Sequence, residues 1–226
     1  MNEFDHKLAQ LKDDLITQGN RVVDMALRAV EAYFDLSHEK ARQVATFDRV
    51  VDRVDVEIER ASIPLLAMGV TDEHKIRSVL TIVKVNNELE RIADCAVTIT
   101  EAVADMDASS DRPPLTFRMM ANSVIGMLRD ANKALAENDT VLANRVLDFD
   151  DTVDKFRSEI GLDAEQKVAS GEFGVRFAFR LRTVTKALER IADHCTNICE
   201  QVIYLETGQI VRHLPSGWSE PVMPDS

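Results

Sequence analysis

Glycine and proline are scarce, at eight and six residues in 226. So few breakers leave long uninterrupted stretches, which suits helices. Cationic residues are outnumbered: 27 Lys and Arg stand against 39 Asp and Glu, for a formal net charge of −12. An acidic surface repels phosphate backbones and argues against nucleic-acid binding. It suits cations, or basic patches on protein partners. No apolar run of about 18 residues exists, so no membrane span is expected. The opening Met1-Asn2-Glu3-Phe4-Asp5 lacks a basic and then apolar leader, so no signal peptide is expected. Three cysteines are too few for a disulfide framework. Together these point to the cytoplasm. The chain also lacks a GxxxxGK[ST] phosphate loop and any evident Ser–His–Asp or Cys–His set, so no enzyme is expected.

What is present is a repeat. Leu89-Glu90-Arg91-Ile92-Ala93-Asp94 returns as Leu188-Glu189-Arg190-Ile191-Ala192-Asp193, 99 positions later. The Glu-Arg-x-x-Asp pattern inside it is not forced by apolar periodicity. The same offset pairs Asp52-x-Val54-Asp55 with Asp151-x-Val153-Asp154, Glu101 with Glu200, Ala32 with Ala131 and Leu36 with Leu135. Read this way, one register runs from about residue 16 to 200 without a gap, and the chain is two tandem copies of one unit.

Apolar residues recur at three- and four-residue spacings and predict six long helices. The first spans about 33 residues through Phe34, or about 50 Å at the α-helical rise. Ser37 caps the second, which reaches about Ala67, and Pro64 should kink or loosen its last turns. Thr71 or Asp72 caps the third, to about Ala104. Asp111-Arg112-Pro113-Pro114 is the main break. Three further helices end near Ala136, Ala169 and Glu206. The expected fold is all-α: two tandem three-helix bundles, 1–110 and 111–208, with a mobile tail at 209–226. Leu89, Ile92, Ala96 and Ile99, with their equivalents Leu188, Ile191, Cys195 and Ile198, are the expected core stripe.

Beside that stripe run oxygen donors. Glu90, Asp94, Thr98 and Glu101 lie at i, i+4, i+8 and i+11, and Glu189, Asp193, Asn197 and Glu200 repeat the spacing. Residues three or four apart share a helix face. The second helix of each unit adds Asp48, Asp52, Asp55 and Glu59, or Asp151 and Asp154. Adjacent helices that turn these faces together crowd four or more carboxylates, which repel unless a cation intervenes. Oxygen-rich sets suit magnesium, calcium or manganese, and can take iron. The bland reading is a solvated face balanced by Arg91 and Arg190. Two stripes at equivalent positions weigh toward a metal or ionic role.

The two motif copies, and the ending Glu200–Gly208 followed by Val211-Arg212-His213, resemble the PhoU family. Its repeated signature reads Leu-Glu-Arg-Ile-Gly-Asp-His. The resemblance implies two three-helix bundles that negatively regulate phosphate uptake and phosphate-starvation signalling. Such an adaptor links the ATPase subunit of a phosphate ABC transporter to a sensor histidine kinase. The resemblance further implies iron, zinc, manganese or magnesium on the (Glu/Asp)-x-x-x-Asp motifs. Glu90, Asp94, Glu189 and Asp193 are the motif positions, and Asp52, Asp55, Asp151 and Asp154 are further candidates. A homodimer is expected, placed in the cytoplasm or peripherally at the inner membrane face. Ala93 and Ala192 replace the usual Gly, and Cys95 stands where His is common, which weakens or alters the first metal site.

Competing readings are a metal-free helical scaffold and a carboxylate-bridged di-metal enzyme. The latter needs Glu-x-x-His on two helices, and Glu3-x-x-His6 stands unrepeated. Cys195 and Cys199 are read as core rather than zinc ligands. His194 is read at the edge of the acidic face. Met119, Met120 and Met127 are read as core, and Trp218 as an ordinary tail residue.

Overall fold

The structure, a computed structural model, describes residues 2–69, 71–104, 111–214 and 217–219, from 213 onward through the backbone alone. Its helices are α1 (Glu3–Asp35), α2 (His38–Ala67), α3 (Glu73–Ala104), α4 (Leu115–Glu137), α5 (Thr140–Ala169) and α6 (Val175–Thr207). Their ends follow from local chemistry. Asn2 and Asp5 form a capping box on α1. The Ser37 side chain accepts from the Lys40 N–H, and Asp72 accepts from the Lys75 N–H. Asp139 accepts from the N–H groups of Val141 and Leu142. Gly208, at φ +76°, closes α6 in the left-handed conformation that glycine adopts without strain. Pro64 lies inside α2, yet the helix continues to Ala67.

The helices pack as two three-helix units. α1, α2 and α3 contact one another, as do α4, α5 and α6. The units meet through α3 against α6 and α1 against α4, so these four helices form the centre, with α2 and α5 flanking it. The expected core stripe is confirmed: Leu89, Ile92, Ala96, Ile99, Leu188, Ile191, Cys195 and Ile198 are all buried. Close approach of α1 and α4 depends on Gly19, where an added Cβ would lie 2.0 Å from the Asn132 Oδ1. Nearby, Asn132 donates to the Asn20 Oδ1.

The gapless register does not hold. α1 ends at Asp35 and α4 at Glu137, α2 ends at Ala67 and α5 at Ala169, all 102 positions apart. Buried Val44, Val51 and Ile58 match buried Val146, Val153 and Ile160 at the same spacing. The motifs on α3 and α6 keep 99. The second unit is therefore three residues shorter around the start of α6. The extra residues of the first unit are used: Lys75 at the start of α3 pairs with Asp5 at 2.6 Å and lies over the Phe4 ring. In structural register Asp48 and Asp52 match Asp150 and Asp154, while Asp55 matches Arg157.

The tail read as mobile carries a short antiparallel ladder, β1 (Arg212–Leu214) against β2 (Gly217–Ser219). Trp218 pairs there with His213 through the backbone; the reading of its side chain lies outside the described residues. Residues 220–226 of that tail do too. Cys195, Cys199, Met120 and Met127 are core, as expected, whereas Met119 is exposed.

Candidate metal and docking faces

α2 and α3 assemble an acidic face from the first unit. Mutual repulsion registers in the carboxyl groups. Burial, then Asp52 and Asp94, push Asp48 above the usual carboxylate range. Burial, then Glu59 and Asp52, raise Asp55, whose Oδ1 also accepts from Asn86 at 2.7 Å. Burial, then Asp94 and Asp55, raise Glu90, with Arg91 only partly opposing them. Asp52, Asp55, Glu90 and Asp94 therefore lie within electrostatic reach of one another. Among the described residues no ion pair forms to any of them.

The equivalent face between α5 and α6 is built differently. Arg157, in the place of Asp55, approaches Glu189 to 3.4 Å and Asp154 to 3.8 Å. Lys186, in the place of Asn87, approaches Glu189 to 3.6 Å. Asp193 is still raised, by burial, then Glu189 and Asp154, against the pull of His194 and Lys186. The structural counterpart of Asp151 is Arg49 rather than Asp52. Asp150 is the true counterpart of Asp48, and only the 102 spacing shows it.

The second oxygen stripe also divides. Glu189 and Asp193 stay on the outer face, but Asn197 and Glu200 turn into the seam between the units. Asn197 donates to the Glu88 Oε2 at 3.0 Å, and the His194 Nδ1 lies 2.7 Å from the same oxygen. Burial works against the Glu88 charge, but these hydrogen bonds hold its carboxyl below its ordinary value. Glu200 is raised by burial despite its ion pair with Arg212, which ties the tail to α6. His194 thus belongs to the seam, not to the edge of the acidic face. Glu88 was missed because its equivalent is Ala187, so no repeat signal marks it.

The donor chemistry of the first face fits a hard or intermediate cation: oxygen ligands crowded together, with no ion pair to them among the described residues. Arg157 and Lys186 make the second face a poorer fit, since a metal would have to displace them from Glu189. Among the described residues no group of three acids, histidines or cysteines is gathered closely enough to hold a metal ion as it stands. Binding at either face would need side chains to turn inward. Cys195 and Cys199 do not contribute: burial pushes both thiols up, disfavouring the thiolates that zinc takes. Among the described residues no helix is long and apolar enough to cross a membrane.

Comparison with known proteins agrees with this architecture. The PhoU domain model matches twice, over residues 15–103 and 117–202. Its two matches begin 102 positions apart and end 99 apart, the same three-residue difference that the helices show. The chain is 29% identical over 216 residues to the phosphate-specific transport system accessory protein PhoU homolog 1 of Thermotoga maritima, covering 95% of this chain and 93% of that one. It is 30% identical over 208 residues to the corresponding PhoU homolog of Aquifex aeolicus, covering 92% and 94%. The crystal structure of PhoU from Pseudomonas aeruginosa superposes with a TM-score of 0.88 at 26% identity, covering 92% of this chain and all of that one. With two matched domains, full-length relatives and the same six-helix architecture, the chain belongs to the PhoU family.

Proposed function

We propose that this protein is a non-catalytic regulatory adaptor of phosphate homeostasis. It acts in the cytoplasm, or against the inner membrane face, as a homodimer. It restrains phosphate uptake and phosphate-starvation signalling by linking the ATPase subunit of a phosphate ABC transporter to a sensor histidine kinase. Residues 1–110 and 111–208 are the two working units, and 209–226 is an appended tail. The observation that carries the reading is the pair of motif faces at equivalent places on α3 and α6, in a chain whose relatives are named accessory proteins of phosphate transport. Adaptors transmit state by which surface they present, and charged outer faces on a rigid bundle serve that role.

A divalent or trivalent cation such as iron, zinc, manganese or magnesium belongs, in this reading, on the first face. Asp52, Asp55, Glu90 and Asp94 would hold it there and relieve their mutual repulsion. Glu189, Asp193, Asp154 and Asp151 are the second set. The pairing of Glu189 with Arg157 and Lys186 favours a metal-free docking role for that set.

The experiment is metal analysis of protein purified without chelator, together with pull-downs against the transporter ATPase and the kinase. Wild type should retain metal and both partners. Glu90→Gln with Asp94→Asn should lose the metal, and Glu189→Gln with Asp193→Asn should keep most of it. Failure of wild type to capture either partner sinks the adaptor reading. Equal metal content in all folded forms sinks the metal assignment.

A further inference from the structure

The surface between α5 and α6 carries more than its motif acids. A groove of about 690 Å³ runs along the line where these two helices pack. Its lining extends on α6 from Val175 to Glu189, which is about 21 Å at the α-helical rise. Gly161, Ala164 and Ala178 leave it open, where the first unit has Glu59, Ser62 and Val79. A trough between two helices, lined in part by small residues, admits a third helix.

The lining residues divide this groove into two halves. Val175, Phe179, Arg182 and Lys186 fall at i, i+4, i+7 and i+11 along α6, which makes them one continuous stripe. The first half of the stripe is apolar and open to solvent. Val175 is 58% and Phe179 67% exposed, and Leu162 on the α5 side is 59% exposed. The second half is cationic, and Arg157 of α5 joins it there, beside Glu189. Glu165 and Glu189 are the acids of the lining, and Glu189 is already paired with Arg157 and Lys186. Among the described residues Arg182 makes no ion pair. The first unit has Asp55, Val83 and Asn87 in place of Arg157, Arg182 and Lys186, so the cations belong to the second unit alone. In a chain of net charge −12, cations beside exposed apolar side chains reverse the general character of the surface.

We propose that the α5–α6 groove seats an amphipathic helix of a protein partner, about four turns long, apolar in one half and acidic in the other. Its apolar side chains cover Val175, Phe179 and Leu162. Its acids, one to two turns further along, meet Arg182 and Lys186. Charge selects the occupant. A basic helix is repelled by these cations, and a wholly apolar one would bury them without a partner. The acidic α2–α3 face repels the same acidic helix, so the two units discriminate between partners by sign. The proposal rests on the adaptor reading above and specifies one docking surface for it; it is independent of metal.

Capture of the transporter ATPase and of the sensor kinase, one at a time, by the immobilised full chain tests it. Wild type should capture at least one of them. Phe179→Asp and Arg182→Glu lie at exposed positions and should each weaken that capture at least about tenfold while circular dichroism stays unchanged. Ile63→Asp, 64% exposed on the first unit, should leave it unchanged. With p-benzoylphenylalanine in place of Phe179, irradiation should link the groove to a partner segment that carries apolar and then acidic residues, in either direction, at three- and four-residue spacings. Capture indifferent to Phe179→Asp and Arg182→Glu would overturn the groove and leave the adaptor reading standing. A wild type that captures neither partner would overturn both. A link to a basic segment, or a loss from Ile63→Asp as large as that from Phe179→Asp, would also overturn the assignment. So would flotation with phosphatidylglycerol vesicles that Phe179→Asp abolishes while capture of the proteins persists, because the groove would then face a membrane.

Discussion

The two units share a six-residue motif and differ in the charge that surrounds it. In the first, Glu90 faces Asp55 and Asp94, and burial, then their repulsion, raises its carboxyl. In the second, Glu189 faces Arg157 and Lys186. Identity of sequence therefore preserved a packing solution more faithfully than an electrostatic one. Leu89, Ile92 and Ala93, like Leu188, Ile191 and Ala192, are buried, so half of the motif is held by the core. Among the described residues its acids make no ion pair in the first unit, whereas Glu189 is paired with cations in the second. A duplicated surface free of packing constraint can take up a second task, and inversion of its charge is the mark of that freedom.

The strongest challenge to this comparison is energetic. Leu89→Ala and Leu188→Ala each remove a fully buried side chain at equivalent places and should each cost about 2–5 kcal/mol. Denaturant unfolding of both variants should give losses that agree within about 1 kcal/mol, the spread expected where cavities relax differently. A much larger disparity would show that the units are not equivalent as cores either. The next effect is asymmetric by design. Gly19→Ala drives a Cβ into Asn132 and should cost about 1–3 kcal/mol. Its structural equivalent, Ala121, already carries a Cβ in a buried position. Ala121→Gly should cost only about 0.5–1 kcal/mol, the helix penalty of glycine. Thermal melts of both variants decide it.

Helix ends were legible because they rest on single residues with one local job: Ser37 and Asp72 cap where the sequence placed them. The core stripe was legible for the same reason, as an apolar period states its own face. The register of α2 against α5 was not. A slip of three residues on a helix turns the face by only about 60° and keeps i, i+3 neighbours together. Asp52-x-Val54-Asp55 therefore matched Asp151-x-Val153-Asp154 without being its counterpart. The neutralising cations escaped notice because Arg157 and Lys186 break the repeat, and repetition was the signal being read. The seam formed by Glu88, His194 and Asn197 joins unlike positions of the two units, which no internal comparison can reveal.

Charge removal at the motif sharpens the comparison through sign. Glu189→Gln loses its pairing with Arg157 and Lys186 and should destabilise by less than about 1 kcal/mol, as partly exposed ion pairs do. Glu90→Gln removes a repelled charge and should leave stability unchanged or raise it by a few tenths of a kcal/mol, on the order of other surface charge changes. Denaturant midpoints measured at low salt, with unchanged slopes, would show the opposite signs. Added salt should shrink both effects. Two losses of equal size would mean that the first face has a cationic partner after all.

The smallest effect is a dependence on pH. Asp48, Asp55 and Glu90 carry raised values in the folded first unit. The folded state then binds protons at a pH where the unfolded chain does not, so these groups lower stability as pH rises through their folded values. Acidifying from pH 7 toward about 5, just above the ordinary carboxylate range, should therefore raise the melting temperature by about 1 °C. The second face contributes less to this gain, through Asp193, and the seam contributes through Glu200. Glu88 has the reverse sign. Its lowered value supports the fold above the ordinary carboxylate range, and that support is lost as pH falls through the folded value. Stability should thus rise gently and then fall as acid reaches the Glu88 contacts with His194 and Asn197. Asp48→Asn with Asp55→Asn and Glu90→Gln should flatten the rise while leaving the fall. Asp193→Asn should barely change either limb, and a melting series in which it flattens the rise as strongly as the triple variant would erase the electrostatic difference between the two units.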